Sequence, residues 1–427
     1  MFRDRRLIIE ESFAMFSACE EQMLRIQSDF PASKEVSTEC TAALERVLNN
    51  KSLGFHQTPM RLDLWDSAER LGQKLRSDFS DMVIVGVGGS SIGVRVLAEV
   101  FVSEKKLHFL DNMDVIAYER LLQSFSDWSK VCWVFISKSG STVETLVGAD
   151  LILQELSQRK LSASHHTVVV SEPRQNPLTQ WANLHGVSML ELPQDVGGRF
   201  SILTSVGLLP ASFLGVPLEE MRRGALHALQ SKDVIVGTCD QFLQSFHRQE
   251  WISFFWFYSS ELRWFGDWLK QLWAESLAKK INRDGLPAPR VSTPYTAIGA
   301  CDQHSLLQQL MEGERDKFIL FVRIHSCENP SGLKIVHSAF EPPPIPHGKS
   351  MGELFAAQVI ATRKALHHEK VSTAEMIWPD LSAETLAEKF MFWELVVATL
   401  GEVLNLNAFD QPGVELGKRI ARQHLNS

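Results

Sequence analysis

Short apolar runs at Met82–Val87, Leu107–Leu110, Val131–Ile136 and Thr167–Val170 alternate along the chain with longer amphipathic segments such as Val94–Val102 and Val143–Lys160. Apolar residues at successive positions predict strands buried on both faces, and their alternation with helices predicts a doubly wound parallel sheet. From near Leu218 helical patterning dominates. A long helix is expected over Glu261–Ile281, a strand at Phe318–Ile324, and helices over Gly352–Lys370 and Ala383–Val403. Glu341–Pro346 reads as a loop, because proline removes a donor and fixes φ. Ahead of the first strand, Phe13, Phe16, Met23 and Ile26 recur at helical spacing, so residues 1–58 predict a helical lead-in. The divisions that follow are 59–215 and 216–405 for two larger units, and 406–427 for a terminal loop and helix.

A length of 427 residues suits two domains with accessory helices. With 44% hydrophobic and 22% charged residues the chain has ample apolar surface to bury. Its formal charge of −8 is spread without a basic block, which removes the usual footprint of a nucleic-acid binder. The most apolar aromatic-rich run, Trp251–Tyr258, falls well short of the ~20 residues that span a bilayer and reads as buried core. Carboxylates break the apolar positions of Met1–Glu11, so no signal-peptide core forms there. Cys19, Cys40, Cys132, Cys239, Cys301 and Cys327 show neither CxxC pairs nor a framework spacing. Reduced thiols and a cytoplasmic setting are the expectation.

Two strand-to-helix turns carry candidate chemistry. The first, Gly86-Val87-Gly88-Gly89-Ser90-Ser91-Ile92-Gly93, lets the backbone approach a ligand and aims free N–H groups at it. Asp111, following the next strand, is placed like the ribose-binding acid of a dinucleotide site, yet the glycine spacing is not GxGxxG; a purely structural turn is the other alternative. The second turn, Ser137-Lys138-Ser139-Gly140-Ser141-Thr142, brings hydroxyls and a lysine to a helix start. Ser141 and Glu144 have capping-box spacing, which would account for one hydroxyl but not the rest. Hydroxyl donors, amides and the positive helix end together suit a phosphate dianion at the carboxyl edge of a parallel sheet.

Both turns resemble the sugar isomerase (SIS) domain. Four further segments are similar to those of the phosphoglucose isomerase family: Asp195–Gly207 around Arg199, Leu269–Lys280 around Glu275, Ala300–Leu310 around His304, and Gly401–Lys418 ending at Lys418. The matching segments run from Val85 to Lys418 in the family's order. From spacing alone Glu275 and Lys279 would be an ordinary i,i+4 surface pair, Cys301 and His304 half a metal site, and Lys418 a solvated neighbour of Glu415. One departure is Ala278, where the family usually has glycine.

The resemblance implies two doubly wound parallel-sheet SIS domains with flanking helices. It implies a cofactor-free aldose–ketose isomerase of glycolysis and gluconeogenesis that interconverts glucose 6-phosphate and fructose 6-phosphate. His304 and Lys418 would open the sugar ring, Glu275 would shuttle the proton between C1 and C2, and Arg199 would hold the charge of the enediolate. Gly89, Ser90, Ser137, Lys138, Ser139 and Thr142 would hold the phosphate, with Gly198, Gln271 and Gln411 along the sugar. No metal is implied. A homodimer is, with His304 entering the partner's active site. A sugar-phosphate sensor that has lost turnover, and a dinucleotide-dependent enzyme, are the competing readings.

Overall fold

In this computed structural model the described residues are 33–414, the short strand Gln27–Ser28 and residues 417, 420, 421, 423 and 424. The helical spacing at Phe13–Ile26 and the lysine at 418 lie outside them. Two five-stranded sheets organise the chain. In the first, β2 (Asp81–Val85), β3 (Lys106–Leu110), β4 (Val131–Ile136), β5 (Thr167–Ser171) and β6 (Ser188–Glu191) are all parallel in the order β3-β2-β4-β5-β6. In the second, β7 (Ile252–Tyr258), β8 (Thr293–Ile298), β9 (Lys317–Ile324) and β10 (Ser372–Trp378) are parallel in the order β10-β9-β7-β8. The strand Gln27–Ser28 (β1) joins antiparallel at the β10 edge.

The period-2 geometry of a strand divides each sheet's side chains between two cores. In β2 and β4, Met82, Ile84, Cys132, Val134 and Ile136 enter a large central core. Their neighbours Val83, Val85, Trp133 and Phe135 enter an outer core beneath the helices Val115–Ser124, Val143–Gln158 and Pro177–His185. The second sheet repeats the division: Phe255 and Phe257 face the central core, whereas Phe254, Trp256 and Tyr258 pack beneath the helices Gln303–Glu312 and Met351–His368. The central core also takes in the helices Ser205–Leu214, Arg263–Leu277 and Ala383–Val403. Each fully buried large apolar side chain contributes roughly 1.5–3 kcal/mol.

The apolar runs predicted as strands form β2 to β5 and β9, and the run Trp251–Tyr258, read as buried core, holds β7. Three strands carry weaker signals. β6 is an edge strand with one buried residue, β8 is an edge strand containing Pro294, and β10 contains Glu375, whose charge is met by Arg323 and Arg363. Proline is tolerated in β8 because an edge strand needs no ladder donor on its open side. The helix expected over Glu261–Ile281 is shorter, Arg263–Leu277, after a 3₁₀ turn at Ser260–Leu262. The predicted lead-in contains the helix Lys34–Asn49, capped by Ser33 and packed against the second unit's helices Lys232–His247 and Ala383–Val403. Among the described residues no helix is long and apolar enough to cross a membrane.

Candidate active site

In the first sheet the strand order reverses between β2 and β4, and at such a switch point the following loops diverge to leave a crevice. Both candidate turns lie here. Gly88 adopts φ +61°, which L residues rarely take, and a Cβ on Gly86 would fall 2.6 Å from the carbonyl oxygen of Ile136. Asp111 forms a two-pronged ion pair with Arg95, both contacts 2.8 Å, so its carboxylate is committed to a guanidinium rather than open to a ribose.

In the second turn Ser137 is buried and its Oγ lies 2.8 Å from Oγ1 of Thr142. Gly140 turns at φ +64° against the Asn176 side chain. The capping-box expectation at Ser141 is corrected: Thr142 is the N-cap, and Ser141 bonds Ser139 at 3.0 Å instead. No side chain caps the helix Val143–Gln158, so its first N–H groups face the crevice beside the hydroxyls. Lys138 directs its ammonium away, to the Gln194 carbonyl at 3.1 Å and Glu172 at 3.4 Å, leaving its backbone amide as its contribution to the turn.

The first turn also lies against Gly198 and Gln271. A Cβ on Gly89 would sit 2.2 Å from the Gly198 carbonyl oxygen, and one on Gly88 would sit 2.9 Å from Nε2 of Gln271. The loop bearing Gly198 is pinned by Asp195, which pairs with Arg61 and accepts the Gly54 amide through its carbonyl at 2.9 Å. The Arg61 guanidinium holds the Asp195 carboxyl below the usual carboxylate range.

Arg199 follows on a 3₁₀ turn and is 4% exposed. Its Nε donates to Ser276 Oγ at 2.7 Å, Nη1 to Gln411 Oε1 at 2.6 Å and to Glu275 Oε2 at 3.3 Å, and Nη2 to the carbonyls of Ala408 and Asp410. Burial lowers its pKa while the Glu275 and Asp410 charges oppose that shift. Gln271, one helical turn before Glu275, donates to Glu275 Oε1 at 3.1 Å. The carboxylate is therefore held from both sides yet is about one-third solvent-accessible. Instead of pairing with its side chain, Lys279 donates to its backbone carbonyl at 2.9 Å. Ala278, standing where glycine is usual, caps the helix at φ −78°, a conformation any residue adopts.

His304 is elsewhere. It is exposed in the first turn of the helix after β8, while neighbouring Gln303 bonds Tyr258 at 2.7 Å and Thr362 at 2.8 Å. Along the helix Arg263–Leu277, Gly266 lies against Thr296 near the end of β8, and Trp273 reaches the carbonyl of Ser292 just before its start. Glu275 therefore lies toward the starting end of β8, whereas His304 follows its far end. Among the described residues no hydrogen bond or ion pair joins His304 to Glu275, Arg199 or either turn. Cys301 and His304 are both exposed, and among the described residues no three His, Cys, Asp or Glu side chains converge like metal ligands.

Motif reading did not single out Ser276 and Asp410 as contacts of Arg199, or Lys279 as a backbone donor. The available signal for Ser276 and Lys279 was their place one and four positions after Glu275.

The sheet order and the helices on both faces are those of the sugar isomerase class of α/β proteins. A glucose-6-phosphate isomerase structure from Chlamydia trachomatis shares the fold at TM-score 0.74 and 24% identity, over 91% of this chain and 78% of that one. A hypothetical protein of Thermus thermophilus shares it at TM-score 0.84 and 31% identity, over 91% and 95%. Within that class the chain belongs to the phosphoglucose isomerase family, whose model matches residues 63–427. Glucose-6-phosphate isomerase of Rubrobacter xylanophilus is 32% identical over 408 residues, covering 91% of this chain and 92% of that protein.

Proposed function

We propose that this chain interconverts D-glucose 6-phosphate and D-fructose 6-phosphate by proton transfer between C1 and C2 through a cis-enediolate. The observation that carries the reading is the buried Arg199 guanidinium, which holds Glu275 and Gln411 directly beside the glycine turn of an anion crevice. Gly89, Ser90, Ser137, Lys138, Ser139 and Thr142 hold the phosphate through hydroxyls and amides. Binding energy spent on that remote group positions the reacting carbons.

Glu275 removes the proton from one carbon and returns it to the other. Arg199 faces the negative charge that develops on the enediolate oxygens, and a donor fixed in advance is most effective there. Gly198, Gln271 and Gln411 line the sugar, with Gln271 beside the first turn, where a Cβ on Gly88 would sit 2.9 Å from its Nε2. Lys418 assists ring opening together with His304.

The distance of His304 from Glu275 in one chain supports a homodimer in which each His304 completes the partner's site. We assign the domains as a lead-in at 1–58, SIS domains at 59–215 and 216–405, and a tail at 406–427. Cytoplasmic residence belongs to the same proposal and rests on cysteines without framework spacing.

Glu275→Gln keeps the shape of the site and removes the base. Turnover of fructose 6-phosphate in a coupled assay is expected to fall by about 10²–10⁴-fold with phosphosugar affinity retained. Near-normal turnover in this variant sinks the assignment. Binding without turnover by the unaltered protein selects the sensor instead.

A further inference from the structure

The carbonyls in the last turn of a helix have no partner within it. In the helix Arg263–Leu277 one of these belongs to Glu275, and Lys279 folds back over the helix end to donate to it at 2.9 Å. The same ammonium donates to the backbone carbonyl of Asp410 and to its Oδ1 at 2.8 Å. An ammonium carries three donors, and all three are used. The Lys279 side chain is 6% exposed, whereas that of Asp410 is 50% exposed. Burial lowers the lysine's pKa, and the bond to Asp410 acts against that shift.

What these contacts join is specific. The Asp410 carbonyl also accepts from Nη2 of Arg199 at 3.0 Å, and the next residue, Gln411, accepts from Nη1 at 2.6 Å. One oxygen is therefore gripped by both cations. Lys279 sets the backbone of the base relative to the loop that carries Gln411, while Arg199 sets its side chain. An exposed i,i+4 pair would contribute little and would fix nothing.

We propose that Lys279 is a positioning residue for the isomerisation, a latch that holds the Asp410–Gln411 loop in register with Glu275. It acts through the backbone of Glu275 and through Asp410, not on the sugar. The proposal rests on the isomerase reading of Glu275 and Arg199. The phosphate turns are built from other segments, so the latch bears on the chemical step and leaves anion binding alone.

The test measures kcat and KM for fructose 6-phosphate, and the inhibition constant of inorganic phosphate, in the full-length protein. Lys279→Met is expected to lower kcat by about 10²-fold, the scale of a misplacement near 1 Å. The phosphate inhibition constant is expected to stay within about twofold, showing that the crevice remains folded. Asp410→Asn keeps the carbonyl and loses the charge, so it gives a smaller loss. The double variant is no worse than Lys279→Met alone, because both changes break one unit.

Turnover of Lys279→Met within twofold of the unaltered protein overturns the latch. So does a loss of phosphate inhibition that matches the loss of kcat, or an additive double variant. Glu275→Gln, measured alongside, separates the two levels: if it keeps turnover the isomerase reading fails, and if it is inactive while Lys279→Met is normal only the latch fails.

Discussion

Replacing Arg199 with lysine keeps a positive charge and removes the fork that distributes it. The guanidinium reaches Ser276 Oγ, Glu275 Oε2, Gln411 Oε1 and the carbonyls of Ala408 and Asp410 from three separate nitrogens. A lysine ammonium has three donors on one atom, so at least two of these acceptors lose their partner. Ser276 is fully buried, and water cannot replace the bond it loses.

The Asp410 carbonyl keeps Lys279, and the partly exposed Glu275 and exposed Gln411 can turn to water, so the stability cost falls on a buried acceptor such as Ser276 Oγ, roughly 1–3 kcal/mol. That is a measurable part of the roughly 5–15 kcal/mol by which folded proteins are stable. On the rate, where Arg199 faces the enediolate as proposed, one point charge cannot do so and also hold Glu275 and Gln411. A loss of about 10²–10³ in kcat is expected for a missing donor to developing charge. Urea unfolding reads the first effect and a coupled fructose 6-phosphate assay the second. An unchanged urea midpoint with kcat within about threefold would refute the reasoning, because it would mean that the fork geometry carries neither stability nor charge stabilisation.

Mixing Glu275→Gln and His304→Ala protomers tests the shared site: random hybrids restore one intact site per mixed dimer, or roughly a quarter of full activity in an isologous dimer. No recovery places both groups in one chain's site. Glu394 is fully buried with neither oxygen partnered among the described residues, and burial raises its carboxyl well above the ordinary 4.5. A raised carboxyl means that the native state keeps a proton the unfolded state releases. Stability is therefore lost as pH climbs from the unfolded value toward the folded one. Glu394→Met is expected to stabilise the protein by about 1–4 kcal/mol, with the gain larger at pH 8 than at pH 5; equal urea midpoint shifts at both pH values count against it.

The sequence was most legible where burial on both faces left only apolar residues. β4 runs over the predicted Val131–Ile136, and the helix Ala383–Val403 has its expected bounds. It was least legible where tertiary contacts decide: β10 tolerates Glu375 only because Arg323 and Arg363 reach it, and no local pattern announces a distant ion pair. At the site the motifs brought Arg199, Glu275, Gln271 and Gln411 to one place. Local spacing suggested that Lys279 would meet the Glu275 carboxylate; it meets the carbonyl instead, because the helix ends at Leu277 and the side chain must fold back. Motif order along the chain says nothing about distance in space, which is why His304 sits apart from the rest.

The packing of Lys34–Asn49 on the helix Ala383–Val403, and the pairing of β1 with β10, have a meaning for biosynthesis. The strands of the first sheet lie within residues 81–191, so that sheet can close while the chain is still being made. The helix at the front of the chain emerges early but meets its final neighbour only after residue 383 has been added. At about 5–20 residues per second that interval is roughly 20–70 s. Even after Lys232–His247 has been made and can meet it, its apolar stripe, with Leu44 and Val47, lacks the surface that Ala383–Val403 supplies. An N-terminal segment waiting this long is where chaperone engagement or premature association would begin.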